Sequence, residues 1–305
     1  MALVLGAAFG ATTTDVEVRD ADTGALVATG RASHADHGTA ADDPTAWWRS
    51  LASGIAGGGE REIAAMSVCG SHPGAVLLDA AGAVLRPLQP WAGADAAAEA
   101  TRLRRALGPE RWARRTGALP GATTLITRLA WLQRADATTF GRIGAALLPH
   151  DWLTYRLAGR AVTDRGSASL TGAWSPSSEA WFGEVLERLA PRRSEAWWAE
   201  RLPAVLGPSE QADWLDAPVY ELLGLRGRPL VGPGTGEPMA VALALGLTPG
   251  RTAISLGPSS AVLGGLATAV ADPTGAVRSR ADATGHHLAV AVAPGGAALI
   301  DAVRG

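Results

Sequence analysis

The sequence predicts an α/β protein. Apolar strands run into glycine turns near both ends of the chain, at Leu3 to Gly10 and again at Thr252 to Gly257. Between them, period-two alternation gives way to long stretches of period 3.6 and then returns. Hydrophobic residues make up 47% of the chain, enough to bury a substantial core. A length of 305 residues allows one large domain or two ordinary ones.

The first strand is Ala2 to Phe9. Asp15 to Arg19 alternates and is followed by Ala25 to Gly30, giving a meander with a tight hairpin at Thr23-Gly24. Asp42-Asp43-Pro44 opens a helix with Trp47, Leu51 and Ile55 on one face. Ile63 to Val68 reads as a fourth strand, and Ala75–Leu78 with Ala83–Leu85 as a hairpin around Ala81-Gly82. Helical spacing then runs through Ala96–Leu107, Pro109–Thr116, Thr124–Arg134, His150–Leu157, Gly183–Leu189 and Glu195–Arg201, with tryptophans as packing anchors. Near Pro229 the opening pattern restarts. Strands are expected at Leu230–Val231, Arg251–Leu256, Ala261–Leu266 and His287–Val292, with helices at Pro238–Leu245 and Ala297–Val303.

Charge and cysteine content narrow the function classes. Net charge is −2, and nothing suggests a polybasic surface for nucleic acid or anionic membrane. All 27 basic residues are arginine, so no lysine is available as a phosphate clamp or Schiff-base former. Cys69 is the only cysteine, which precludes an internal disulfide and suits a reducing compartment. No basic residue precedes Arg19, and no run reaches the roughly 18 apolar residues of a membrane helix. A cytoplasmic protein is expected.

The richest stretch for chemistry is Val231 to Met239, V-G-P-G-T-G-E-P-M: an apolar run, a glycine turn, a carboxylate and a helix. Such a layout holds phosphate at a helix N-terminus and sets a base beside it. With Asp43–Trp48 (D-P-T-A-W-W), Leu147–Gly159 (L-L-P-H-D-W-L-T-Y-R-L-A-G) and Thr163–Gly172 (T-D-R-G-S-A-S-L-T-G), it resembles the FGGY carbohydrate kinases, in their xylulokinase-like group. A-D-P-T-G-A-V and A-D-A-T-G toward the end add to the resemblance, which runs from residue 3 to about residue 303.

The resemblance implies an actin-like, RNase H-like fold. It gives a complete sugar-side domain over residues 1–228 and part of a nucleotide-side domain over 229–305. It further implies Mg-ATP as cofactor, a ketose such as D-xylulose as substrate, and leaves a homodimer open. Glu237 takes the place of the family's catalytic aspartate. Phosphate contacts map to Gly10, Thr12 and Thr13, to Gly234, Thr235 and Gly236, and to Gly257, Ser259 and Ser260. Sugar contacts map to His72 and Trp91.

The same resemblance exposes departures. The family's first phosphate turn, D-x-G-T-S-S-x-K, is here Ala8 to Asp15, so the magnesium-side carboxylate is an alanine and the terminal base an acid. Pro258 removes a donor from the second turn. The polar pair that follows Trp91 in the family is absent, and no residue is assigned to a metal; His286-His287 has no Cys or acidic spacing around it. A later glycine-rich segment that closes over adenosine in the family has no counterpart by Gly305. These features imply weak or absent turnover. Two other readings stay open: a non-catalytic homologue acting as an interaction protein, and a binding module holding a less polar ligand between Trp91, His72 and Glu237.

Overall fold

The computed structural model describes residues 2–37, 43–59, 61–70, 74–85, 94–191, 193–256 and 259–294. It packs as two compact units. One comprises Met1–Trp91, Asp136–Asp164 and Ala196–Glu237, and the other Ala92–Ala135, Arg165–Glu195 and Pro238–Gly305. The packing units therefore interleave along the chain, where the sequence reading divides it once, at 228/229.

The first unit is organised by a seven-stranded sheet. Strands β1 (Leu3–Phe9), β2 (Thr13–Asp20) and β3 (Leu26–Ser33) form the expected antiparallel meander. Strand β4 (Ala65–Gly70) pairs parallel to β1 on its other side. Helix α1 (Pro44–Gly57) crosses over between β3 and β4; Asp43 caps it by accepting from the Thr45 N–H at 2.8 Å, and Pro44 fills its first turn. Trp47, Leu51 and Ile55 are all buried, as their spacing predicts. Phe9 lies between His34 and Trp47, with ring centroids 5.0 and 5.1 Å away, and Trp47 meets Trp152 edge-on at 6.5 Å.

Helix α1 lies backbone-to-backbone on β3. A Cβ on Gly30 would sit 1.8 Å from the Gly54 carbonyl oxygen, so the helix backbone would have to shift to admit it.

Val76–Leu78 and Leu230–Val231 are strands as expected, but their partners Ala145–Leu147 and Asp213–Trp214, and the pair Val162–Asp164 and Ala204–Leu206, were not legible locally. Val76–Leu78 pairs with Ala145–Leu147, and the expected hairpin to Ala83–Leu85 reduces to a bridge between Leu78 and Val84. Val162–Asp164 pairs with Ala204–Leu206, and Asp213–Trp214 with Leu230–Val231. Each has two or three residues, too few to display a period, and most find partners far along the chain.

In the second unit, the helices Ala94–Leu107, Pro109–Thr116 and Leu125–Ala135 match the periodic segments. Its four-stranded sheet runs in the order Thr252–Ser255, Ser259–Leu266, His287–Pro294, Arg278–Ala281 and is antiparallel throughout. Arg278–Ala281 was unforeseen because it does not alternate: Ser279, Arg280 and Ala281 are all buried, an arginine among them. The helix expected at Ala297–Val303 lies outside the described residues. No helix among the described residues is long and apolar enough to cross a membrane.

Gly30→Ala should lower unfolding free energy by about 2–3 kcal/mol through overpacking, whereas Gly6→Ala, where nothing lies within 4 Å, should stay within about 0.5 kcal/mol. Urea unfolding of both variants checks this; equal midpoints would contradict the close approach.

Candidate active site

The G-T-G-E turn is built onto the sheet of the first unit. Thr235–Gly236 forms a short strand parallel to β4, with Thr235 opposite Cys69 and Gly236 opposite Gly70. Since β4 is parallel to β1, with Cys69 opposite Ala8 and Gly70 opposite Phe9, three strands end at one edge of the sheet. Residues 8, 69 and 235 therefore stand in one row, and 9, 70 and 236 in the next. Ligand chemistry in open α/β sheets collects at such carboxyl ends. The next residue, Glu237, is exposed and opens the helix Glu237–Ala244, where a carboxylate is stabilised by the helix dipole.

The turn is seated by close contacts. Gly234 has φ +78°, and a Cβ there would lie 2.5 Å from the Val68 carbonyl oxygen and 3.3 Å from both the His150 ring and the Thr154 hydroxyl. A Cβ on Gly70 would meet the His150 Cβ at 2.9 Å. One imidazole thus supports both the end of β4 and the turn.

Buried polar groups complete the seat. Thr235 Oγ1 donates to Asp164 Oδ2 at 2.8 Å. The His150 and Asp151 side chains form a buried ion pair, 3.1 Å from Nε2 to Oδ1, and the other Asp151 oxygen accepts from the Leu148 N–H at 3.1 Å. Burial, the largest influence on His150, opposes its charge, but Asp151 and then Asp164 outweigh it and raise the imidazole above its ordinary value. At Cys69, burial first and the Glu237 charge second push the thiol up. His150, Asp151 and Asp164 were read only as parts of familiar-looking segments. Their local signal is polar residues set among apolar neighbours.

The first phosphate turn folds as a hairpin. Gly10 N–H donates to the Thr13 carbonyl at 2.9 Å, and the Thr12 carbonyl accepts from His34 N–H at 2.9 Å. Thr13 Oγ1 donates to Asp15 Oδ2 at 3.2 Å, and Asp15 pairs with Arg31 across the strands at 3.3 Å. Among the described residues, the Ala11 and Thr12 N–H groups make no hydrogen bond and remain available to an anion. Ala8, exposed at the sheet end, offers no oxygen to a cation. No carboxylate stands in that row, residues 8, 69 and 235, to hold magnesium.

Gly10, Thr12, Thr13, Gly234, Thr235, Gly236 and Glu237 all belong to the first unit. Ser260, buried in the strand Ser259–Leu266, belongs to the second, and Ser259 begins that strand. Gly257 and Pro258 lie outside the described residues, as do His72 and Trp91.

Residues 3–243 match the FGGY family of carbohydrate kinases, N-terminal domain. The chain belongs to this family. It is 40% identical over 297 residues to a xylulose kinase of Streptomyces coelicolor, covering 95% of this chain and 60% of that protein. It is 38% identical over 294 residues to one from Streptomyces rubiginosus, with the same coverage. The crystal structure of a xylulose kinase from Bifidobacterium adolescentis superposes with a TM-score of 0.88 at 30% identity, over 99% of this chain and 67% of that one. The fold is accordingly the actin-like α/β fold of the FGGY sugar kinases. The chain spans about 60% of the length of the curated xylulose kinases cited.

Two outcomes follow from this geometry. Gly234→Ala should cost about 2–4 kcal/mol, combining a left-handed backbone with a clash against carbonyl oxygen; a thermal midpoint within 1–2 °C of the parent would contradict the seating. For His150, the folded value lies above the ordinary 6.5, so its ion-pair stabilisation is complete below about pH 6.5 and fades as pH rises through the raised value. The difference in urea midpoint between the parent and His150→Gln should therefore be largest at acid pH and shrink above neutrality, and a pH-independent difference would refute it.

Proposed function

We propose that this chain is a sugar kinase of xylulokinase type with weak turnover, using Glu237 as general base toward a ketose hydroxyl and ATP as phosphoryl donor. The observation that carries this reading is the exposed Glu237 at the end of a strand parallel to β4. A carboxylate there accepts the hydroxyl proton as the oxygen attacks the γ-phosphate. The free N–H groups of Ala11 and Thr12 supply phosphate donors at the same sheet edge, and the helix N-terminus behind Glu237 favours anions. Family membership and the xylulose kinases among the relatives support Mg-ATP and a small sugar as substrates.

Weak turnover follows from two features. Glu237 is one methylene longer than aspartate, which displaces the carboxylate by about 1 Å and can cost about 100-fold. Position 8 contributes no metal ligand, so no step is assigned to a metal held by this row. Ala8 also favours the second reading, a non-catalytic homologue that binds ligands or partners without turnover.

Titration with Mg-ATP by calorimetry, followed by ADP release against a panel of ketoses and polyols, tests the proposal. Sugar-dependent ADP release should be slow but measurable and fall about 10²- to 10⁴-fold in Glu237→Gln. Glu237→Asp should not restore fast turnover, because Ala8 is unchanged. Nucleotide binding without sugar-dependent release would favour the non-catalytic reading.

A further inference from the structure

The second unit contains a cavity of about 130 Å3 that the kinase reading does not use. One water needs roughly 10–15 Å3 of such space, so the cavity admits a small polyatomic ligand. Three arginines line it: Arg104 from the helix Ala94–Leu107, and Arg278 and Arg280 from the strand Arg278–Ala281. The last two are separated by one residue, so they share a face of the strand. Thr123, Thr124 and Thr274 are also among the lining residues.

No carboxylate is among the residues that line this cavity. Elsewhere in the unit, Arg102 and Arg134 pair with Glu99, Arg111 and Arg188 with Glu184, and Arg165 with Glu179. Among the described residues, no carboxylate pairs with Arg104, Arg278 or Arg280. Arg280 is only 5% exposed. Burial first and the neighbouring Arg278 second depress its guanidinium to about 9. Burying the Arg280 charge beside Arg278 is costly without an anion to offset it.

The lining is also held in place. Arg104 Nε donates to the Pro120 carbonyl at 2.8 Å, and Arg280 Nη1 donates to the Ser169 carbonyl. Ser279 N–H donates to the Gly117 carbonyl at 2.7 Å, fixing the arginine strand against the end of the helix Pro109–Thr116. A Cβ on Gly117 would come within 2.4 Å of the Ser279 carbonyl oxygen, so this junction requires glycine. Two guanidiniums are thus anchored through one nitrogen each, with their remaining donors uncommitted to any acid. Guanidinium groups recognise phosphate by paired, charge-assisted hydrogen bonds.

We propose that this cavity is a binding site for a phosphate group, separate from the G-T-G-E turn and lined by Arg104, Arg278 and Arg280. The group comes either as free phosphate or as the phosphomonoester of a small metabolite. The proposal does not depend on kinase activity.

Calorimetric titration and thermal melting of the full 305-residue chain with sodium phosphate, at ionic strength matched with sodium chloride, test it. Phosphate should bind saturably and raise the melting temperature, while chloride alone should not. Arg104→Ser and Arg278→Ser, both at exposed residues, should each weaken phosphate binding at least tenfold, and Glu237→Gln should leave it unchanged. Glycerol 3-phosphate forms the second arm. Binding as tight as phosphate, and lost in the same arginine variants, identifies a phosphomonoester site; binding of phosphate alone identifies a free-phosphate site. A melting shift reproduced by chloride, or phosphate affinity unaffected by both arginine variants, would overturn the proposal.

Discussion

The carboxyl end of β4 is where the candidate chemistry of the first unit converges, and it depends on backbone being allowed to touch a side chain. Gly70 rests on His150 on one side, and Gly234 fits between Val68, His150 and Thr154. Only hydrogen at those two α-carbons permits Thr235–Gly236 to lie flush beside β4. Once that strand is seated, the position of Glu237 follows from the register: it is the first residue past the paired Gly236, at the same sheet edge as Gly10.

The buried polar groups around this seat set its stiffness. Asp164 holds Thr235 through its hydroxyl, and Asp151 holds His150 while also capping its own helix. A buried charge pair of this sort contributes little net stability compared with an apolar replacement. It contributes geometry: the backbone that leads into Glu237 is anchored by several directional contacts. That matters for Glu237, whose extra methylene already places it away from where a shorter acid would act.

Much of the fold could be read locally. The meander, the crossover helix α1 with its Asp43-Pro44 start, and the helices Ala94–Leu107, Pro109–Thr116 and Leu125–Ala135 all announce themselves through period and capping residues. Apart from Val76–Leu78 and Leu230–Val231, the strands of two or three residues did not. Val162–Asp164 and Thr235–Gly236 are strands only because a distant partner supplies their hydrogen bonds. For the same reason the site was half legible. Gly234, Thr235, Gly236 and Glu237 form one contiguous motif, while Asp164 meets Thr235 across 71 residues.

By itself, the sequence determined the family, the α/β class, the glycine turn and the identity of its acid, because these are properties of composition, period and contiguous residues. Tertiary structure alone decided that Ala8, Cys69 and Thr235 share a row, that His150 underlies two glycines, and that Arg104 meets Arg278 and Arg280 around one cavity. Register between strands and the convergence of distant side chains depend on how the chain closes on itself, and no local pattern of residues encodes that.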